Sequence, residues 1–278
     1  MTVPIHVVDA FTDRPFAGNP AAICLLDLPA DAAWMQAVAA EMNLSETAFL
    51  VPGDDAAPVG PRTFGLRWFT PTVEVDLCGH ATLASAHVVF TAGMAPLDAP
   101  VHFDTRSGRL VCRRVGEQIE MDFPAVPLTP VEPPPDLLPA LGLDHAVTVA
   151  EAGHWYFVEV ESAAQVRAAA PDLRALATIG GGGATLTAAA DTPEADFVSR
   201  VFGPGVGIDE DPVTGSAHCG LAPFWADRVG RNELVGHQVS ARGGIVRCRV
   251  EGDRVFLRGD AVTVLSGELH ADPVGRPA

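Results

Sequence analysis

The feature that most limits how this chain can fold is a segment that occurs twice. Arg67-Trp68-Phe69-Thr70-Pro71 precedes Leu77-Cys78-Gly79-His80-Ala81-Thr82, and Arg200-Val201-Phe202-Gly203-Pro204 precedes Asp211-Pro212-Val213-Thr214-Gly215-Ser216. The second copy reads as a turn feeding a helix. Pro212 ends a strand, Gly215 allows positive φ, and Leu221, Phe224 and Trp225 recur at helical spacing. Such a start leaves backbone N–H groups free at the positive end of a helix dipole, which suits a carboxylate or an enolate-like oxygen. Two related halves are therefore expected. The competing account is composition, because 27 Gly and 24 Pro in 278 residues make short matches easy to find.

That length, at 48% hydrophobic residues, supplies one large core or two ordinary ones, and the repeat favours two. A formal net charge of −17 gives nucleic acid and anionic membranes no electrostatic gain, so neither is expected as a partner and a small substrate is. Solubility alone accounts for the acidity equally well. No charged-then-apolar leader opens the chain and no apolar run reaches spanning length, so a cytoplasmic protein is expected. Cys24, Cys78, Cys112, Cys219 and Cys248 are odd in number, widely spaced and without a Cys-x-x-Cys pair. They indicate neither a disulfide framework nor a metal site, and read as small buried residues.

In the first half, Ile5 to Ala10 and Ala21 to Leu26 read as strands joined by the long turn Asp13 to Pro20. Asp31 caps a helix from Ala32 to Met42, which ends at Asn43. Glu46 then stands alone between this apolar helix and the apolar strand end Ala48 to Val51. A carboxyl group desolvated in such a place is a usable proton carrier; the plain alternative is an exposed Glu in a helix-to-strand turn. After a strand over Arg62 to Thr70, His80 sits where a helix running toward Gly93 begins. The dipole there is expected to hold its imidazole neutral, able to donate to a ligand oxygen or relay a proton, unless it only satisfies local backbone.

Strands at Val101 to Asp104, Arg109 to Arg114 and Gln118 to Asp122 imply antiparallel sheet. The proline-dense stretch from Pro124 to Pro135 reads as a linker, dividing the chain into 1–126 and 127–278, with the final residues left free to pack on the first half. Beyond it come a short helix at Asp136 to Leu141, strands at Ala146 to Ala150 and Trp155 to Val160, and one helix from Ala163 to Ala177. Gly180 to Gly183 lacks the Lys-Ser or Lys-Thr of a phosphate loop and reads as a flexible turn. Phe197 to Phe202 leads into the Asp211 element, and hairpins fill the region from Val235 to Leu269, before a loose tail.

Four of these motifs together resemble the phenazine-biosynthesis-like (PhzF) family. They are Val8-Asp9-Ala10-Phe11-Thr12 with Phe16-Ala17-Gly18-Asn19-Pro20, then Asn43-Leu44-Ser45-Glu46-Thr47-Ala48-Phe49, Cys78-Gly79-His80-Ala81-Thr82, and Asp211-Pro212-Val213-Thr214-Gly215-Ser216-Ala217. Arg242-Gly243-Gly244 and Gly267-Glu268-Leu269 extend the match over nearly the whole chain.

The resemblance implies an α+β fold of the diaminopimelate-epimerase type, with two similar halves, each a curved, mostly antiparallel sheet wrapped round a central helix, and an active site in the cleft between them. Epimerases of this fold use two cysteines as paired acid and base. Cys78 matches the first place and the second falls near Pro212, which disfavours a two-thiol racemase. The family's proton carrier is the glutamate of its Ser-Glu-Thr motif, here Glu46. The resemblance assigns His80, Asp211 and Ser216 to substrate binding or proton relay, and Gly79, Ala81, Gly215 and Ala217 to the substrate's surroundings. It implies an isomerase without cofactor or metal, a small carboxylate-bearing substrate and a homodimer. A cysteine-dependent epimerase and a non-catalytic small-ligand-binding protein stay open as alternatives.

Overall fold

The strands of the first part of the chain are β1 (Val3–Ala10), β2 (Asn19–Leu25), β3 (Glu46–Pro52), β4 (Arg62–Phe69), β5 (Glu74–Val75), β6 (Val101–Thr105), β7 (Gly108–Val115) and β8 (Gln118–Pro124). Helix α1 (Ala32–Met42) separates β2 from β3, and α2 (Gly79–Thr91) separates β5 from β6. The second part runs β9 (Thr129–Pro130), α3 (Leu137–Ala140), β10 (Thr148–Ala152), β11 (Trp155–Glu159), α4 (Ala163–Ala168), α5 (Leu173–Leu176), β12 (Ala184–Ala189), β13 (Phe197–Gly203) and β14 (Ile208–Asp211). It continues with α6 (Gly215–Val229), β15 (Glu233–Gln238) and β16 (Gly244–Glu251), and the chain closes with β17 (Arg254–Gly259) and β18 (Ala261–Leu269). This is a computed structural model that describes residues 2–53 and 62–273.

Two compact units result, Met1–Asp122 with Arg258–Ala278, and Phe123–Leu257. The last strand returns to the first unit, where β18 pairs antiparallel with β1.

Each unit repeats one pairing order. In the first, β1–β2 is antiparallel, β2–β3 parallel, β3–β4 antiparallel, β4–β6 parallel and β6–β7 antiparallel. In the second, β10–β11, β11–β12, β12–β13, β13–β15 and β15–β16 follow the same alternation. Parallel neighbours need a crossover. Helix α1 serves β2 to β3, and α4 with α5 serve β11 to β12; a short strand plus a long helix, β5–α2 and β14–α6, serve the other two. The repeated sequence segment is the second crossover of each unit.

One interaction explains why that segment repeats. The Arg67 guanidinium donates to both carboxylate oxygens of Glu74, at 2.7 and 2.8 Å, and lies 5.2 Å over the Phe69 ring. Arg200 does the same to Glu210, at 2.7 and 2.9 Å, and lies 4.8 Å over Phe202. A bidentate, charge-assisted pair stacked on an aromatic face ties each short strand to its neighbour. Four residues beyond the glutamate stands the helix N-cap, Cys78 in one unit and Thr214 in the other. The repeat therefore puts Thr214, rather than Pro212, in the place that Cys78 holds.

In the first unit, strand alternation assigns the two faces of the sheet. Ala22, Cys24, Phe49 and Phe69 pack with Met35, Val38 and Ala39 of α1. The intervening residues, Asn19, Ala21 and Ile23 of β2 with Glu46, Ala48 and Leu50 of β3, therefore point to the opposite face. That face meets α2, which touches β1, β2, β3, β7 and β18 and is buried at every residue from Gly79 to Ala86. A helix apolar all round is a core helix, and Gly79, Ala81, Ala84 and Ala86 let the strands approach it closely. The second unit has its own core around Leu137, Val158, Val166, Leu176, Leu186, Val198 and Phe202. There α6 packs on β15 and β16; Trp225 stacks 5.8 Å from Phe197 and donates its Nε1–H to Thr187 at 2.9 Å.

Several local expectations change. The proline-dense stretch supplies a strand of the second unit, in which Thr129–Pro130 pairs with β10 over two residues; proline, lacking an N–H, is tolerated in so short an edge pairing. The helix expected over Ala163 to Ala177 is two helices, because Pro171 interrupts it and Asp172 caps a new start by accepting from the N–H groups of Arg174 and Ala175. The four-glycine run is a packing requirement, since a Cβ on Gly183 would meet the Trp155 ring at 2.2 Å. The expected tail beyond Leu269 falls partly outside the described residues. Among the described residues no helix is long and apolar enough to cross a membrane.

Candidate active site

Two neighbouring elements of the first unit, β3 and α2, bring Glu46, Cys78 and His80 together. Glu46 opens β3, beside Ala21 of the parallel strand β2, on the face that meets α2. Cys78 is the N-cap of α2 and His80 its second residue. Glu46 Oε2 lies 3.1 Å from His80 Nε2. The contact is an ion-pair distance without hydrogen-bond geometry, so this carboxylate oxygen is buried with no hydrogen-bond donor among the described residues. The other ring nitrogen, Nδ1, lies 3.0 Å from Asn19 Nδ2 and 3.5 Å from Cys78 Sγ. Asn19 is fully buried, and Glu46, Cys78 and His80 are each less than 10% exposed.

The electrostatics differ from the sequence-based expectation for His80. Burial opposes the imidazolium, but the sulfur of Cys78 and the carboxylate of Glu46 outweigh it and hold the His80 pKa well above 6.5. Cys78, at the cap of the same helix, and Glu46, from β3, act on the ring in the same direction. A helix N-terminus disfavours a cation by partial charges alone, whereas a full carboxylate charge at 3.1 Å in a buried setting is the stronger influence. The Cys78 thiol is pushed up to about 11, chiefly by burial and further by the Glu46 charge. It is a thiol and not a thiolate at neutral pH.

In the second unit, Asp211 ends β14 and its carboxylate accepts from the Thr214 hydroxyl. Gln238, fully buried at the end of β15, holds the turn by accepting from Thr214 N–H at 2.8 Å and donating to the Asp211 carbonyl at 2.6 Å. The Ser240 hydroxyl donates to the Pro212 carbonyl at 2.8 Å. Gly215 and Ala217 are buried in the first turn of α6, while Ser216 between them is exposed. Gly79 and Ala81 are buried in the first turn of α2. Neither Cys78 nor Thr214 caps its helix with a side-chain hydrogen bond, so no cap side chain takes up the first-turn N–H groups of α2 or α6.

Asn19 and Gln238 are the residues that sequence reasoning missed as parts of these arrangements. Asn19 stood in a motif without a role, and Gln238 follows another polar residue, His237, so nothing in the sequence singles it out. Glu46, Cys78 and His80 also each offer a metal-ligand type of atom, within 4.8 Å of one another. To bind a divalent ion there, the thiol would have to lose its proton and the imidazole its charge.

The phenazine biosynthesis-like protein family matches residues 8–267 of this chain. An uncharacterized isomerase of Halalkalibacterium halodurans is 46% identical over 270 residues, 97% of this chain and 99% of the relative. A crystal structure of a PhzF family phenazine biosynthesis protein from Enterococcus faecalis superposes with a TM-score of 0.89 at 38% identity, covering 98% of this chain and 100% of that one. A hydroxyproline epimerase from Agrobacterium vitis shares the fold alone, with a TM-score of 0.61 at 10% identity over 99% of this chain and 94% of that one. The epimerase-like fold is thus shared well beyond recognisable sequence likeness, while the family match in sequence spans both copies of the repeat. The chain belongs to the phenazine biosynthesis-like, or PhzF, family.

Proposed function

We propose that this protein is a cofactor-independent isomerase that moves a proton on a small carboxylate-bearing substrate, with Glu46 as the proton carrier. The observation that carries the reading is the Glu46–His80 pair. Glu46 presents a buried carboxylate oxygen 3.1 Å from an imidazole that is stabilised as a cation. Glu46 takes a proton from a carbon adjacent to, or conjugated with, the substrate carboxylate. The electron pair of the broken C–H bond moves into the conjugated system, and the proton returns at another carbon of the same molecule. Substrate and product therefore have the same atoms and oxidation level. His80 balances the charge that Glu46 gains and loses, so the carboxyl group can cycle without crossing a large barrier.

Asp211 and Ser216 are assigned to binding and orienting the substrate, and Gly79, Ala81, Gly215 and Ala217 to presenting backbone N–H groups to its developing anion. The uncapped starts of α2 and α6 support that assignment. The likeness to an uncharacterized isomerase, at 46% identity, supports the reaction class. A cysteine-dependent epimerase is disfavoured by a buried Cys78 thiol with its pKa near 11 and by Thr214 at the repeat-equivalent position. Homodimer formation belongs to the same proposal and is tested by sizing in solution.

The test is deuterium incorporation from heavy water into a panel of small unsaturated or hydroxylated carboxylic acids, comparing wild type with Glu46→Gln and Cys78→Ala. Exchange lost only in Glu46→Gln supports the isomerase. Loss only in Cys78→Ala supports the epimerase, and binding of a panel member with no exchange supports a non-catalytic ligand-binding protein.

A further inference from the structure

The turn between β1 and β2 holds two non-glycine residues in left-handed backbone, one with its ring buried and one with its ring exposed. Phe11 and Phe16 adopt positive φ, at 62° and 67°, although neither is glycine. Phe16 is 77% exposed, so burial of its ring does not compensate. Its N–H donates instead to the buried carboxylate of Asp9, at 2.7 Å. Gly18 also has positive φ, and a Cβ there would meet the Ala10 carbonyl oxygen at 2.2 Å. This pinched turn delivers the next residue, Asn19, opposite Ala10 and on the α2 face of the sheet. There its amide reaches the one ring nitrogen of His80 that does not face Glu46. Backbone strain retained by a surrounding structure is a pointer to function, and here it leads to the contact with His80.

We propose that Asn19 is a positioning residue that holds the His80 ring in register with Glu46 through both of its protonation states. The inference rests on the reading of Glu46 and His80 as the reacting pair. An imidazole that gains and loses a proton reverses the role of one nitrogen. When His80 is neutral, Nδ1 accepts from the Asn19 amide, which leaves the ring proton on Nε2, facing Glu46. When it is an imidazolium, Nδ1 donates, and the same amide turned over offers its carbonyl oxygen. An aspartate would serve only the cation, and an apolar residue neither. The titratable groups acting on His80 are Cys78, at the cap of its own helix, and Glu46, from β3. Asp9, from β1, is turned to the Phe16 N–H.

The test is a nitrogen-15 NMR titration of the His80 ring in wild type, Asn19→Asp and Asn19→Leu, with folding checked by thermal unfolding. The expected result is a pair of opposite shifts, the His80 pKa rising by about one unit or more in Asn19→Asp and falling by about one unit in Asn19→Leu. A residue that only fills space would move both in the same direction or not at all, and either result in folded variants overturns the proposal. A second measurement needs no variant: above its pKa, wild-type His80 must carry its proton on Nε2, and a ring protonated on Nδ1 overturns the assignment. These readouts need no substrate, so they stand or fall apart from the isomerase reading, which the Glu46→Gln exchange experiment tests separately.

Discussion

Glu46 Oε2 lies 3.1 Å from His80 Nε2 in a pocket of the first unit where both side chains are nearly shut off from solvent. Each residue changes what the other can do. The carboxylate holds the imidazole as a cation, and the imidazolium offsets the cost of a buried negative charge. Cys78, in contact with the same ring, is left as a thiol.

Replacing Glu46 with Gln keeps the shape and removes the base. Proton exchange into the substrate should fall by about 10²–10⁴-fold, the range usual for a general base. Cys78→Ala should retain most of the exchange. The comparison is made by mass spectrometry of deuterium uptake at matched protein concentration, and equal losses in the two variants would sink the assignment of Glu46 as sole carrier.

The same pair predicts a pH dependence of stability. The folded-state pKa of His80 is raised, so its contribution is fully present below the unfolded value near 6.5 and is lost as pH rises through the raised folded value. In Glu46→Gln one of the causes of the raised value is gone. The stability difference between wild type and Glu46→Gln, from urea denaturation, should therefore shrink as pH is taken from 6 into the alkaline range; a difference that grows contradicts the pairing.

His218 predicts the opposite limb. It is fully buried in α6, its Nδ1 is 2.8 Å from the Thr214 carbonyl, and its ring is 5.7 Å from that of Phe197. Burial lowers its pKa to about 4, so the native state favours the neutral ring. Below about pH 6.5 the unfolded chain binds this proton and the native protein does not, so stability is lost as pH falls toward 4. The loss should total about 3 kcal/mol, at 1.36 kcal/mol per unit of pKa shift. Denaturation midpoints between pH 7 and pH 4 measure it, and His218→Gln should flatten that slope if it folds.

The two arginine braces should differ in weight. The Arg200 side chain is 14% exposed and also donates to the carbonyls of Val166, Arg167 and Ala169, whereas that of Arg67 is 36% exposed. Arg200→Ala is expected to cost about 2–4 kcal/mol, since it strands a part-buried carboxylate and three acceptors. Arg67→Ala is expected to cost about 1 kcal/mol, because solvent screens the pair. Urea denaturation of both variants ranks them, and a reversed order would show that the braces are not governed by burial.

Much of this protein is written locally. Asp31 and Asn43 bound α1 as a cap and a left-handed stop, since a side-chain oxygen and a small polar residue act within a few positions of themselves. The two glycine-containing helix starts, the isolated Glu46 and the repeat are legible for the same reason. What the repeat means is not local. Arg67 and Arg200 became intelligible only once β5 and β14 were seen folded back on their neighbours, placing Glu74 and Glu210 under the guanidinium groups. The state of His80 was decided wholly by tertiary structure. Its place in sequence predicts a neutral ring at a helix start, but the register of β2 against β3 puts Asn19 on one ring nitrogen and Glu46 beside the other. Sequence alone marked the candidate residues and the starts of α1, α2 and α6. The fold determined their charge, because electrostatics in a buried site depends on distance through space, and that distance is set by pairings between strands remote along the chain.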